Sequence, residues 1–174
     1  KKVGAENIKC AIIVHPFGMI GEWNKIYSIL KEANLPIIED AACALGSKYK
    51  DQAAGTLADI GCYSFHPRKI LTTGEGGMIV SRDHTILKYI RRLRDHGAVR
   101  EKGKIRFDHV GINMRMTDFQ AALGIDQLEQ YETILQFRRE IIETYLSNLD
   151  FPEASLPKEK EKNKFNWQSF VIRI

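Results

Sequence analysis

Three residue types in this chain are spaced so that they could act together on a carbonyl compound. Lys69 follows Ser64 by five residues and lies between two apolar runs, Ile60 to Phe65 and Met78 to Val80, with the turn-forming Thr72-Thr73-Gly74-Glu75-Gly76-Gly77 before the second. Upstream, Leu35 to Asp40 (LPIIED) is another apolar run, which ends on Glu39-Asp40 before the small residues Ala41, Ala42 and Ala44. A lysine on a loop is ordinarily a solvated charge. An acid at one strand end, with a serine and a lysine beyond the next, instead offers an anion, a hydroxyl and an amine to one crevice, because strand ends carry the chemistry of open parallel sheets. That set suits pyridoxal phosphate: the amine takes the aldehyde, the carboxylate keeps the ring nitrogen protonated and the hydroxyl contacts the phosphate.

The elements that must position these groups follow from periodicity. Ile60 to Phe65 reads as a buried strand, and Lys9 to Val14 as another, closed by His15-Pro16-Phe17-Gly18. Trp23, Ile26, Tyr27 and Leu30 give Glu22 to Ala33 helical spacing, so the unit runs strand, helix, strand and implies parallel neighbours with a right-handed crossover. His15 either faces a substrate or is a turn histidine held by its own loop, and no catalytic role is assigned to it. Ala41 to Ser47 predicts the first turns of a helix, and Lys48 to Thr56 a surface excursion. Asp83 predicts the cap of a helix carrying Ile86, Leu87, Ile90 and Leu93 and ending near His96-Gly97. Ala98 to His109 reads as an exposed loop. Thr117 to Gln120 has the form of a capping box, and the helical pattern continues to Leu149. Unbroken, that helix would reach about 50 Å, so a break is expected near Gly124 or at Gln130 to Thr133. Pro152, Pro157 and the charged run Lys158 to Lys164 predict a linker, and Trp167 to Ile174 a strand.

Composition limits the classes. The 174 residues, 44% hydrophobic and 28% charged, suffice for one core and the edge of a second domain. Twenty-six bases are mixed with 22 acids for a net charge of +4; without a clustered basic face, no nucleic-acid partner is expected. No apolar run approaches the ~18 residues of a membrane span. Cys10, Cys43 and Cys62 stand at unrelated spacings and read as reduced, buried thiols of a cytoplasmic protein, not as a disulfide or zinc set.

Taken together, Asp40-Ala41-Ala42 with Ala44-Leu45-Gly46, Gly55, Asp59, Ser64-Phe65-His66-Pro67-Arg68-Lys69 and Thr73-Gly74-Glu75-Gly76-Gly77 resemble the DegT/DnrJ-type sugar aminotransferases. The likeness continues through Arg94-Asp95-His96-Gly97 and Gly111 to Asp118 into Gln120-Ala121-Ala122-Leu123-Gly124. The resemblance implies a fold type I, pyridoxal-phosphate-dependent α/β/α sandwich with a mostly parallel sheet. Residues 1–128 would form the large cofactor domain, and residues 129–174 a connecting helix and the start of a small C-terminal α+β domain. It also implies an internal fragment of a longer enzyme, inactive in isolation, because the family's phosphate-cradling loop and ring-stacking aromatic match no residue here.

By the same resemblance, Lys69 carries the cofactor and moves the proton, Asp40 pairs with the ring nitrogen, and Ser64 binds the phosphate. Asn113 is the asparagine that a homodimer's second subunit offers to the phosphate, making the active site a shared one. An Asp40 pair at ~4 Å and an effective dielectric of ~20 is worth about 4 kcal/mol before desolvation. Cys43 stands where the family frequently has Gln or His against the cofactor, and a thiol is a poor hydrogen bonder. Arg115 reads as a structural salt bridge. The reaction implied moves an amino group, glutamate being the usual donor, to a nucleotide-linked keto sugar. Two alternatives stay open: an inactive or regulatory homologue, and a dehydratase, although dehydratases of this type carry histidine in place of Lys69.

Overall fold

Apolar alternation builds the first layer. The computed structural model describes residues 5–150, 156–160 and 163–173. Strand β1 (Ala11–Val14) passes through a 3-10 turn at Pro16–Gly18 into helix α1 (Trp23–Glu32) and strand β2 (Ile37–Asp40). The short strands β3 (Lys48–Tyr49) and β4 (Gln52–Ala53) precede β5 (Ile60–Ser64) and β6 (Gly77–Ser81). Helix α2 (His84–Leu93), strands β7 (Ala98–Glu101) and β8 (Lys104–Phe107), helices α3 (Asp118–Glu129) and α4 (Tyr131–Asn148), and strand β9 (Asn163–Lys164) follow.

The main sheet has the order β1-β2-β5-β6. Its first two pairings are parallel and the last is antiparallel, giving the mostly parallel α/β sheet that the strand-helix-strand pattern predicts. Side chains alternate across a strand, so Ile37 and Glu39 are buried while Ile38 and Asp40 are half-buried on the opposite face. Ile37 joins Ile20, Trp23, Ala41, Ala44, Ala54 and Leu57 in the core beneath α1. The other face of β1 leaves Ile12 and Val14 exposed.

A buried acid ties this core together. The Glu39 carboxylate is fully buried and accepts hydrogen bonds from Gly55 N and from Leu57 N at 2.9 Å, while its Oε1 lies 2.9 Å from His15 Nε2. The His15 backbone N–H in turn donates to Asp40 O at 3.1 Å, and its ring meets Trp23 edge-on. His15 is therefore neither a substrate contact nor a residue held by its own loop: it is buried and bound to the strand beside it. Gly55 (φ 89°) and Gly61 can only be glycines here, since a Cβ on Gly61 would lie 1.9 Å from Gly55 O.

Several local expectations change. Ala41 to Ser47 forms successive turns, Ala44 N to Ala41 O and Ser47 N to Ala44 O, and not the expected helix, since Gly46 at φ 82° leaves the helical backbone; Ala41, Ala44 and Ser47 are buried. Lys48 to Thr56 is a hairpin whose return buries Ala54 and Gly55. Ala98 to His109 is a second hairpin, closed by Lys102-Gly103 with both φ values positive, the turn that matches strand twist. Trp167 lies in the left-handed region (φ 54°), which breaks the strand expected from Trp167; the pairing strand is β9, on β3. Strand β5 is half-buried rather than buried, and Cys10 is exposed. Pro152 and Ile174 lie outside the described residues.

Other expectations match. Asp83 caps α2 by accepting from Thr85 N and Ile86 N, and the helix stops at Leu93, just short of His96. Thr117 and Gln120 form the capping box of α3, and the long helical pattern breaks at Gln130.

Replacing Glu39 by Ala would strand two buried N–H groups and the His15 ring, at about 1–3 kcal/mol for each unsatisfied group. Urea unfolding of Glu39→Ala is expected to show a loss of at least about 3 kcal/mol, with Glu39→Gln, which keeps one acceptor oxygen, losing less.

Candidate active site

Two adjacent strand ends supply the site. The β2 and β5 register sets Asp40 opposite Cys62, and Ala41 N extends the ladder to Cys62 O at 2.9 Å. The chain then turns, Ala42 N donating to Asp40 Oδ1 at 3.0 Å, and brings Cys43 Sγ to within 2.9 Å of Lys69 Nζ. Lys69 sits on the loop between β5 and β6. That loop is closed by Phe65 N to Gly76 O, Thr73 N to Phe65 O and the Thr72 hydroxyl to Phe65 O. Gln127 of α3 holds it from outside, accepting from Thr72 N and donating to Thr72 O.

A strap from the far end of the chain joins these two segments. Gln168 accepts from Ile70 N at 3.2 Å and donates to Arg68 O at 2.7 Å, so one amide brackets Lys69 on both sides. Asn166 Nδ2 donates to Cys43 O at 2.9 Å and Leu45 O at 2.7 Å. Arg138 of α4 fixes the strap by donating to Trp167 O and Gln168 O. Gly18 makes room for it, since a Cβ there would fall 1.8 Å from Asn166 Oδ1.

Cys43, Ser64 and Lys69 line one small cavity with Tyr131, Asn166 and Gln168. Its volume of about 10 Å³ is near that of one water. Tyr131 donates to Leu45 O at 2.8 Å, and burial pushes its phenol well above the ordinary range, so it stays a donor. Asp40 lies at the same sheet edge but not in the cavity wall; among the described residues its second carboxylate oxygen has no hydrogen-bond partner. The Ser64 oxygen accepts from His66 N, and its proton goes to no acceptor among the described residues. Burial, and then the charge of Asp40, push the Cys62 thiol up.

Asn113 is not brought to this place. It is exposed, pairs with Asp95 in an isolated bridge and accepts from Arg115 N at 3.2 Å. Arg115 forms the expected ion pair, with Asp95. A larger groove lined by Tyr27, Lys31, Asp59 and Arg82 opens at the start of β2 and β5, the end of the strands opposite these residues.

The sequence reading missed Asn166, Gln168 and Arg138. The available signal was the pair of amides flanking Trp167; the strand expected over Trp167 to Ile174 gave Gln168 no role and left Asn166 outside it.

A profile of the DegT/DnrJ/EryC1/StrS aminotransferase family matches residues 2–174. The GDP-perosamine synthase of Escherichia coli O157:H7 is 38% identical over 142 residues, 82% of this chain and 39% of that protein. The UDP-4-amino-4,6-dideoxy-N-acetyl-beta-L-altrosamine transaminase of Campylobacter jejuni (strain ATCC 700819) is 36% identical over 92% of this chain and 40% of its own length. Among solved structures, Helicobacter pylori PseC, an aminotransferase of pseudoaminic acid biosynthesis, superposes with a TM-score of 0.90 at 28% identity, over 96% of this chain and 46% of that one. The chain thus spans less than half the length of these relatives.

Gln168→Ala removes two hydrogen bonds worth about 1 kcal/mol each from the segment that carries Lys69. The variant is expected to fold, by circular dichroism, but to expose Lys69 to amine-directed labelling faster than the parent chain; an unchanged labelling rate would contradict the bracket.

Proposed function

The chain belongs to the DegT/DnrJ/EryC1/StrS aminotransferase family, and on that premise we propose that it carries the catalytic centre of an enzyme moving an amino group, from glutamate, to a nucleotide-linked keto sugar. Pyridoxal phosphate is the cofactor of the family, and the donor set here suits it. A half-buried amine, a carboxylate with one oxygen open and a hydroxyl with its proton open share one sheet edge. That convergence is the observation on which the reading rests.

Bound there, the cofactor supplies an aldehyde that takes up amino groups and a ring that delocalises negative charge. Lys69 Nζ would hold the aldehyde carbon and, when unprotonated, shuttle the proton between substrate carbon and cofactor carbon. Asp40, through its free oxygen, would hold a proton on the ring nitrogen. Ser64 would donate to the phosphate, and Cys43 would touch the bound group weakly. Gln168 positions the lysine and touches nothing that reacts.

Asn113 acts in this reading from one subunit on the phosphate in the other. Support comes from its surroundings: Phe107, Val110, Ile112, Met114 and Phe119 are all exposed, with Val110 98% and Phe119 81% accessible. Apolar side chains gathered in this way mark an interaction surface, and a second copy of the chain is the partner that the shared site needs.

The test uses the full native polypeptide that contains residues 1–174. With pyridoxal phosphate, borohydride reduction should fix the cofactor on Lys69, and Lys69→Ala should retain none and catalyse no transfer from glutamate to keto sugar nucleotides. Turnover in Lys69→Ala would overturn the assignment. Asp40→Asn should keep the cofactor and lose activity by about 100-fold or more, the scale set by removing one electrostatic stabiliser. Cofactor retention without any turnover in the parent protein would favour the inactive-homologue reading instead.

A further inference from the structure

The Lys69 amine meets a sulfur as its only side-chain partner among the described residues, Cys43 Sγ at 2.9 Å. We propose that Cys43 and Lys69 form a reversible thiol-amine couple, which peroxide closes into a sulfur–nitrogen bond that takes the amine out of service. The couple stands on this contact and forms only while the amine carries no carbonyl compound.

Cys43 is held where it must be for such a closure. Its carbonyl accepts from Asn166 Nδ2 at 2.9 Å, and its chain is fixed one turn away by Ala44 N donating to Ala41 O. Lys69 is bracketed by Gln168 through Arg68 O and Ile70 N. Neither backbone has to move for nitrogen and sulfur to close on one another, because the long lysine side chain supplies the freedom. Both side chains are half-buried, so a small solute reaches them.

The chemistry balances. The Cys43 sulfur attacks hydrogen peroxide, the O–O bond breaks, one water leaves and a sulfenic acid remains. The lone pair of the unprotonated Lys69 amine then attacks that sulfur; the S–O bond breaks, the hydroxyl leaves as a second water with a proton from nitrogen, and an S–N bond forms. Overall, a thiol, an amine and one peroxide give a sulfenamide and two waters; sulfur is oxidised and peroxide reduced. Sulfenic acids are known to condense in this way with thiols and with backbone nitrogen, and an amine is a better nucleophile than an amide nitrogen. An external thiol attacking the sulfur returns thiol and amine.

The other two cysteines are poorly placed to compete. Cys62 is half-buried beside Asp40, and burial followed by that charge keeps its thiol protonated. Cys10 is exposed, before β1, and no side-chain hydrogen bond links it to Lys69.

The experiment treats the protein, free of added carbonyl compounds, with millimolar hydrogen peroxide, blocks remaining thiols after denaturation, and maps peptides by mass spectrometry. The expected product joins the Cys43 and Lys69 peptides, lacks two hydrogen atoms relative to their sum, and disappears with dithiothreitol. Before reduction, the labelling of Lys69 by an amine reagent falls by most of its extent and recovers afterwards. Under the same treatment Lys69→Arg, checked for folding by circular dichroism, is expected to carry Cys43 on to the sulfinic acid. Three results would overturn the couple: Cys43 over-oxidised beside a free Lys69 in the parent chain, Cys43 in a disulfide with Cys10 or Cys62, or the same two-hydrogen loss at Cys43 in Lys69→Arg, which would place the nitrogen elsewhere.

Discussion

One buried carboxylate organises the part of the molecule on which everything else is built. Glu39 lies inside the core and spends its oxygens on Gly55 N, Leu57 N and the His15 ring. A buried acid left without such partners costs far more than it returns, so the strand end, the hairpin return at Ala54 to Leu57 and the turn after β1 are fixed in one arrangement. Because side chains alternate along β2, fixing Glu39 inward also fixes Asp40 outward, at the edge where β5 ends on Ser64. The acid proposed to hold the ring nitrogen is thus set by the acid that faces the core.

From that edge the design is one of sewing. Neither the turns at Ala41 to Ser47 nor the loop at Phe65 to Gly76 is a regular element. Asn166 holds the first by two backbone carbonyls, Gln168 holds the second on both sides of Lys69, and Arg138 of α4 holds the strap that carries both amides. The lysine is placed by contacts a hundred residues away in sequence, while its nearest chemical neighbour, Cys43, comes from a different loop. Positioning at this level is what a reactive amine requires, since a displacement of about 1 Å can cost ~100-fold in rate.

The legibility of the sequence follows the range of the forces involved. The strand-helix-strand unit, the Asp83 cap, the Thr117 to Gln120 capping box and the break at Gln130 are decided within a few residues, and their signals are correspondingly plain. Asp40, Ser64 and Lys69 could be singled out as candidates because each sits at or just past a strand end, a place the structure gives them as well. The hairpin at Lys102-Gly103 was passed over because charged residues dominate Ala98 to His109 and the one alternation there, Lys104-Ile105-Arg106-Phe107, is only four residues long. Gln168 was misread for a related reason: Trp167 to Ile174 alternates as a strand does, but the left-handed backbone at Trp167 and the partners of the amides belong to tertiary structure. His15 and Glu39 could not be paired from sequence, since only the register of β1 on β2 brings them together.

The central claim is that the Lys69 amine and the free oxygen of Asp40 address one and the same bound ring. A crystal structure of the full native polypeptide grown with pyridoxal phosphate measures this directly. The account predicts continuous density from Lys69 Nζ to the cofactor, with the ring nitrogen within hydrogen-bond distance of Asp40. A cofactor seated elsewhere, or joined to Lys69 with its ring nitrogen turned away from Asp40, would contradict it.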